Sequence, residues 1–188
     1  MKKLLNYIVI KRCLGFIFSL SLILILMPLL IVVAISIKLD SPGPIFYSCL
    51  RIGKYGKPFK YFKFRSMYVG TNKVTNFGRF IRRWHLDELP ELFLVLIGRL
   101  SLVGPRPMPY SSITREHQAY SDSLQVKPGM TGPFQVRHNR RKNIEHIIFL
   151  NNWYAKKQCF FVDFSLILKT PKAIWKQKDG TDKSVKID

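Results

Sequence analysis

From Leu14 to Ile37 the chain carries no charged residue, and apolar side chains fall on every face of a helical wheel. The run is 24 residues long. Runs of roughly 18 or more are membrane-helix candidates, whereas a signal peptide has an apolar core of only about 7–15 residues. Pro28 sits past the midpoint. It removes a backbone donor and crowds the preceding turn, so a kink near Leu24 to Met27 is predicted. Lys2, Lys3, Lys11 and Arg12 precede the run, and Lys38, Arg51, Lys54 and Lys57 follow it. Positive charge on both flanks assigns both sides to the cytoplasm. Two geometries stay open: a kinked anchor that crosses the bilayer, or a helix–break–helix that re-enters one leaflet.

Beyond the run the pattern changes. "PIFYSCL" and "PFKYFKF" are rich in aromatic and β-branched residues and are bounded by Gly and Pro. They predict two short strands around a turn at Lys54 to Lys57. In "NFGRFIRRW", Phe77, Phe80, Ile81 and Trp84 recur at helical spacing. This basic amphipathic helix either lies on lipid headgroups or packs into a core with its basic face solvated. "ELPELFLVLIG" predicts a helix ending at Gly98, and "RLSLVGPRPMP" excludes one. "KPGMTGPF" is a second Gly/Pro loop. Residues 143 to 157 read as a helix with Ile144, Ile147, Ile148 and Tyr154 on one face. Asp163 can cap another that is interrupted at Pro171, and the tail from 177 is polar.

Charge sharpens the picture. The 188-residue chain has 31 Lys and Arg against 11 Asp and Glu, a formal net charge of +20. All the acids follow the apolar run. Such a surface calls for an anionic partner: nucleic acid, anionic lipid or a phosphorylated substrate. No nucleic-acid motif is present, so no nucleic-acid partner is expected. Cys13, Cys49 and Cys159 have neither metal-ligand spacing nor a disulfide framework.

Two adjacent carboxylates, Asp87 and Glu88, stand just behind "RFIRRW". On this stretch alone Asp87 reads as the N-cap of a helix over roughly 88 to 97. Glu88 and Glu91 would occupy its first turn, where carboxylates suit the helix dipole.

The motifs taken in order point further. "KR" precedes the apolar run; "SPGPIFY", "RIGKYGKPF", "KFRSM", "FGRFIRRWHLDELPEL", "SLVGPRP", "KPGMTG" with "FQV", and "D-S-IL-KT" follow. From about Lys11 to Thr170 the chain resembles the bacterial sugar transferases, the monotopic phosphoglycosyl transferase family. The resemblance implies a mostly α, α/β fold. A re-entrant membrane helix broken at Pro28 would occupy residues 1–40. A small catalytic domain with amphipathic helices and a short β-hairpin would occupy 41–176, with a polar tail over 177–188. It implies transfer of sugar-1-phosphate from a UDP-sugar to polyprenyl phosphate with release of UMP and a need for Mg²⁺. The site would be the cytoplasmic face of a bacterial inner membrane, among its lipids and alongside downstream glycosyltransferases.

By the same resemblance Asp87 and Glu88 are the catalytic pair, with Asp87 also the metal ligand. A carboxylate can form an acyl-phosphate and divide the transfer into two steps, with cations offsetting the charge repulsion. Lys63, Arg65, Arg82 and Arg106 are the candidate phosphate ligands, since Arg forks suit phosphate and Lys supplies a point charge. The alternative is a non-catalytic relative that binds lipid or a partner enzyme. Some positions depart from the family pattern: Gly15, Met27, Cys49, His85, Glu91, Leu94, Asn151, and a short segment over 68–75.

Overall fold

A computed structural model describes residues 2–112, 122–137 and 144–178. Helix α1 (Lys2–Asp40) is followed by an antiparallel hairpin, β1 (Phe46–Ile52) and β2 (Pro58–Phe64), around a 3-10 turn at Lys54–Gly56. Helices α2 (Asn76–Arg83) and α3 (Glu91–Leu96) flank a 3-10 turn at Leu86–Glu88. Strands β3 (Ser101–Val103) and β4 (Gly129–Thr131) form a parallel pair. Helices α4 (Pro133–Arg137), α5 (Ile144–Lys157) and α6 (Phe160–Lys178) complete the described fold, which is mostly helical with a small antiparallel hairpin as the sequence predicts.

Helix α1 is helical without interruption, with Pro28 inside it. The proline removes one donor, and Leu26, Leu30 and Val33 pack against the domain on either side of it, so the helical backbone continues through that position. Gly15, Ser19, Ile23, Leu30, Val33 and Ile37 are buried, one every three to seven residues, and form a single stripe along the helix. The other faces stay open: Val9, Ile17, Leu24, Ile25, Val32 and Leu39 are exposed. Only 22% of the most apolar stretch is buried, against the near-complete burial of a soluble core helix.

Both ends of α1 are fixed to the same domain. Near its start, Lys11 Nζ lies 2.7 Å from Asp163 Oδ2 on α6, and donates to Tyr154 Oη on α5 at 2.6 Å. Tyr7 and Tyr154 donate to the two oxygens of Asp163, each at 2.5 Å. The Arg12 guanidinium donates to Val95 O and Leu96 O, closing the C-terminal end of α3. At the other end, Leu30, Val33 and Ile37 pack with Phe64 and the fully buried Ile81. Asp40 accepts the Phe77 N–H in the first turn of α2, where a carboxylate suits the dipole.

Helix α2 packs one face into the core, as one of its two readings expects. Thr75 caps it by accepting from Gly78 N at 2.9 Å, and Phe77 and Ile81 face the core. Phe80 and Trp84 are nearly half exposed. A side chain at Gly78 would collide with the Ser66 carbonyl, so only glycine fits there. The short 68–75 segment closes as a tight loop, with Met67 bridged to Val74 and Gly70 at φ +71°. Two expectations for α6 are corrected. Asp163 lies in its first turn and spends its carboxylate on Lys11, Tyr7 and Tyr154 rather than on a cap. The helix also continues through Pro171 to Lys178. Most of the predicted tail lies outside the described residues.

The Lys11–Asp163 pair is nearly buried, at 14% and 10% side-chain exposure. Removing one partner strands the other charge. Asp163→Ala is therefore expected to lower stability by about 3 kcal/mol. Thermal unfolding in detergent would show a clear fall in Tm, while Asp122→Ala, which breaks an exposed pair with Lys156, would change it little.

Candidate active site

The site is built by a match between a strand and a turn. Along β2, successive side chains alternate faces, so Phe59, Tyr61 and Lys63 share one. Phe59 and Tyr61 pack with Leu94 and Val95 of α3. That contact brings Lys63 Nζ to 3.7 Å from Asp87 Oδ2, while Tyr61 Oη donates to Glu91 Oε1. Two residues along a strand advance about 6.8 Å. Tyr61 and Lys63 thus meet Glu91, at the start of α3, and Asp87, in the 3-10 turn before it.

Asp87 is not a helix N-cap. It sits in the 3-10 turn Leu86–Glu88, and Pro90 takes the cap position of α3. His85, in the left-handed conformation at φ 53°, turns the chain out of α2 and into that 3-10 turn. The Asp87 side chain is buried there at 7% exposure, whereas Glu88 keeps 43% of its surface. His85 Nδ1 lies 3.6 Å from Glu88 Oε2.

The environments drive the two acids apart. Burial, then the neighbouring Glu88 charge, raise Asp87 above its ordinary value, while Lys63, His85 and Arg82 oppose the rise. Burial pushes Glu88 up too, but the His85 contact and the charges of Lys63 and Arg106 outweigh it and hold Glu88 below its ordinary value. Glu88 is thus anionic at neutral pH, and Asp87 is more basic than an ordinary aspartate.

Three of the four predicted phosphate ligands contribute to this field. Lys63 is the ion-pair partner of Asp87, Arg82 adds positive potential there, and Arg106 does so at Glu88. The Arg106 loop is set from behind. Asn151 on α5 accepts from Arg106 N at 2.9 Å and donates to Arg106 O at 3.3 Å. Gly104 and Gly129 pack backbone to backbone beneath it, closer than any Cβ allows. The Arg106 guanidinium lies 4.9 Å from the Phe134 ring centroid.

Arg65 does not join the carboxylates. It is buried, and its guanidinium donates to Pro42 O at 2.7 Å and Ser41 O at 2.8 Å, tying down the chain that leaves α1. Among the described residues no group of three His, Cys, Asp or Glu could hold a metal ion. A magnesium site here would take one or two carboxylates and leave its other positions to water and substrate phosphate. The ion is commonly bound in that way, and Asp87 beside Glu88 fits it.

The profile of the bacterial sugar transferase family matches residues 6–177. The chain belongs to that family. The undecaprenyl-phosphate galactose phosphotransferase of Salmonella typhimurium is 34% identical over 165 residues, covering 73% of this chain and 34% of that protein. The UDP-glucose:undecaprenyl-phosphate glucose-1-phosphate transferase of Xanthomonas campestris pv. campestris is 35% identical over 170 residues, 77% of this chain and 34% of the relative. An uncharacterized sugar transferase of Bacillus subtilis is 36% identical over 150 residues, 73% of each chain. The chain therefore spans about a third of the length of the first two relatives and most of the third.

Two residues that adjoin the carboxylate pair were not singled out by sequence reasoning as functional: Glu91 and its partner Tyr61. An acid inside the apolar "ELFLVL" was the available signal. Glu91 is almost wholly buried, and burial followed by the Glu88 charge raises its carboxyl well above the ordinary 4.5. Because the folded value is the higher one, the stability it contributes is complete below about 4.5. It is lost as pH rises toward the folded value. Glu91→Gln keeps an acceptor for Tyr61 and removes the titration. The variant is expected to melt above the wild type at pH 7–8, with the gap closing toward pH 4, in Tm measured across that range.

Proposed function

We propose that this chain transfers sugar-1-phosphate from a UDP-sugar to polyprenyl phosphate, with undecaprenyl phosphate as the acceptor class, and so starts a lipid-linked glycan. The observation that carries the reading is the buried Asp87 carboxylate, made more basic by its surroundings and set 3.7 Å from Lys63, beside an anionic Glu88. The names of the relatives, which pair undecaprenyl phosphate with sugar phosphates, support the same reaction class.

In the first step an Asp87 oxygen attacks the phosphorus that bears the sugar. A new O–P bond forms, the bond from that phosphorus to the bridging oxygen breaks, and UMP departs with the electron pair. In the second step a phosphate oxygen of the lipid attacks the same phosphorus and releases Asp87. Lys63, Arg82 and Arg106 hold and neutralise the diphosphate. Glu88 acts as base for the lipid phosphate or as support for Asp87. Mg²⁺, when bound at Asp87, would offset negative charge on the transferring phosphoryl group.

Asp87→Asn is expected to retain the fold and to lose all but a few per cent of UMP release from a UDP-sugar with Mg²⁺ and polyprenyl phosphate. Glu88→Gln is expected to be severely impaired. With donor alone, intact-mass measurement should find one sugar-phosphate on the wild type and none on the Asn variant. Full turnover by Asp87→Asn would remove Asp87 from the nucleophile's role.

The membrane arrangement we infer is re-entrant, with the continuous α1 bending at Pro28 so that both of its ends return to one face. Lys11 to Ile37 would span about 39 Å at ~1.5 Å per residue, more than a ~30 Å hydrocarbon core. Length thus permits crossing, but Lys11 and Arg12 at one end and Ile37 and Asp40 at the other contact one domain. A domain held on one side of the bilayer cannot keep both sets of contacts with a helix that threads to the far side. Exposed Phe160, Phe161, Phe164 and Leu168 on α6, with Phe80 and Trp84 on α2, extend the apolar surface into the headgroup region. The basic flanks support a location at the cytoplasmic face of a bacterial inner membrane. With the native cysteines replaced, Lys3→Cys and Lys183→Cys should both resist an impermeant thiol reagent applied outside intact cells. Labelling of position 3 alone would establish a crossing anchor instead.

A further inference from the structure

A cavity of about 80 Å³ opens beside the first turns of α1. One water needs roughly 10–15 Å³, so the space admits a polyatomic group. None of Lys63, Asp87, Glu88 or Arg106 lines it. Its walls are of two kinds. Ile8, Gly15, Val95 and Leu100 form an apolar side. Lys11, Arg12, Lys54 and Lys127 form a basic side, and among the described residues no carboxylate lines the cavity.

Lys11 is already neutralised by Asp163, and Arg12 spends N–H groups on the α3 carbonyls while keeping its charge. Lys54 and Lys127 have no carboxylate within ion-pair distance among the described residues. Arg12, Lys54 and the exposed Lys127 line the one cavity, and partial burial followed by the Arg12 and Lys54 charges holds the Lys127 ammonium below its ordinary value. Convergent positive charge is costly without an anion between the groups. On the α1 side the lining residue Ile8 is itself exposed, and so is Phe16, whose ring lies 5.8 Å from the Arg12 guanidinium, so the wall continues into apolar surface there. An anion that also carries a long apolar chain satisfies both sides at once.

We propose that this pocket binds the phosphate head of a membrane lipid, with the lipid's chains lying against α1 beside Ile8 and Phe16. The site is separate from the carboxylate site, and the proposal rests on α1 lying in the bilayer, not on the reaction at Asp87. A diacyl phospholipid and a polyprenyl phosphate share the chemistry of a phosphate ester on an apolar chain.

Native mass spectrometry of the full chain in neutral detergent tests the proposal, with no sugar donor present. The probes are dioctanoyl phosphatidylglycerol, farnesyl phosphate, dioctanoyl phosphatidylcholine and inorganic phosphate. Wild type and Asp87→Asn should both retain phosphatidylglycerol or farnesyl phosphate, and whichever is held more tightly names the lipid class. Lys54→Gln with Lys127→Gln should weaken that binding about tenfold or more, from the loss of two cations near the headgroup. Lys169→Gln with Lys172→Gln, an equal charge change on α6, should change it less than about twofold. Equal loss in both double variants would reduce the effect to diffuse surface charge and overturn the site. So would equal binding of phosphatidylcholine, displacement of the lipid by equimolar inorganic phosphate, or loss of binding in Asp87→Asn.

Discussion

The long apolar helix α1 is tied at both ends to one domain, and the rest of the structure follows from that. Lys11 and Tyr7 meet Asp163, Arg12 closes α3, and Asp40 accepts the Phe77 N–H of α2. Each is a charged or charge-assisted contact at a helix terminus or in a nearly buried site, where such contacts are strong. The stripe from Gly15 to Ile37 then has one docking face available. Phe64 and Ile81 fill it, and this sets where β2 and α2 must lie.

The carboxylate site inherits its geometry from that arrangement. β2, seated on α1 by Phe64 and on α3 by Phe59 and Tyr61, presents Lys63 at the level of Asp87. The turn that carries Asp87 needs His85 in a left-handed conformation, a modest local strain of the kind often stored beside functional groups. Three acids, Asp87, Glu88 and Glu91, crowd into five residues, and the protein separates them electrically. Glu88 receives the cations, Asp87 shares Lys63, and Glu91 is withdrawn into the core against Tyr61. Only one of the three need stay neutral for the cluster to be tolerable.

The excess of positive charge serves more than one purpose. Arg12 and Arg65 act on backbone carbonyls at helix ends, and they are structural in that role. Lys63, Arg82 and Arg106 face the carboxylates. Lys54 and Lys127 converge on the cavity beside α1. A basic chain at an anionic membrane surface gains affinity from every exposed cation, so the net charge alone does not say which ones are committed.

Much of this was legible beforehand. Period and composition suffice for the apolar helix, the hairpin, the amphipathic α2 and the α5 helix, because those signals are local and repeat within one element. The adjacency of Asp87 and Glu88, with its surrounding motifs, marks the family and the candidate site. Other features depended on contacts between residues far apart in the chain. Arg65 looked like a phosphate ligand because an arginine's type is visible but its partner is not; the carbonyls of Ser41 and Pro42 claim it. Asp163 looked like a cap until α1 supplied Lys11 from more than 150 positions away. Pro28 marked a break by its own chemistry, yet the packing of Leu26, Leu30 and Val33 keeps the helix whole. Sequence by itself determines which groups are apolar, charged or kinking. Which of those groups meet is decided by the tertiary structure, because a charge takes whichever partner the fold brings within reach.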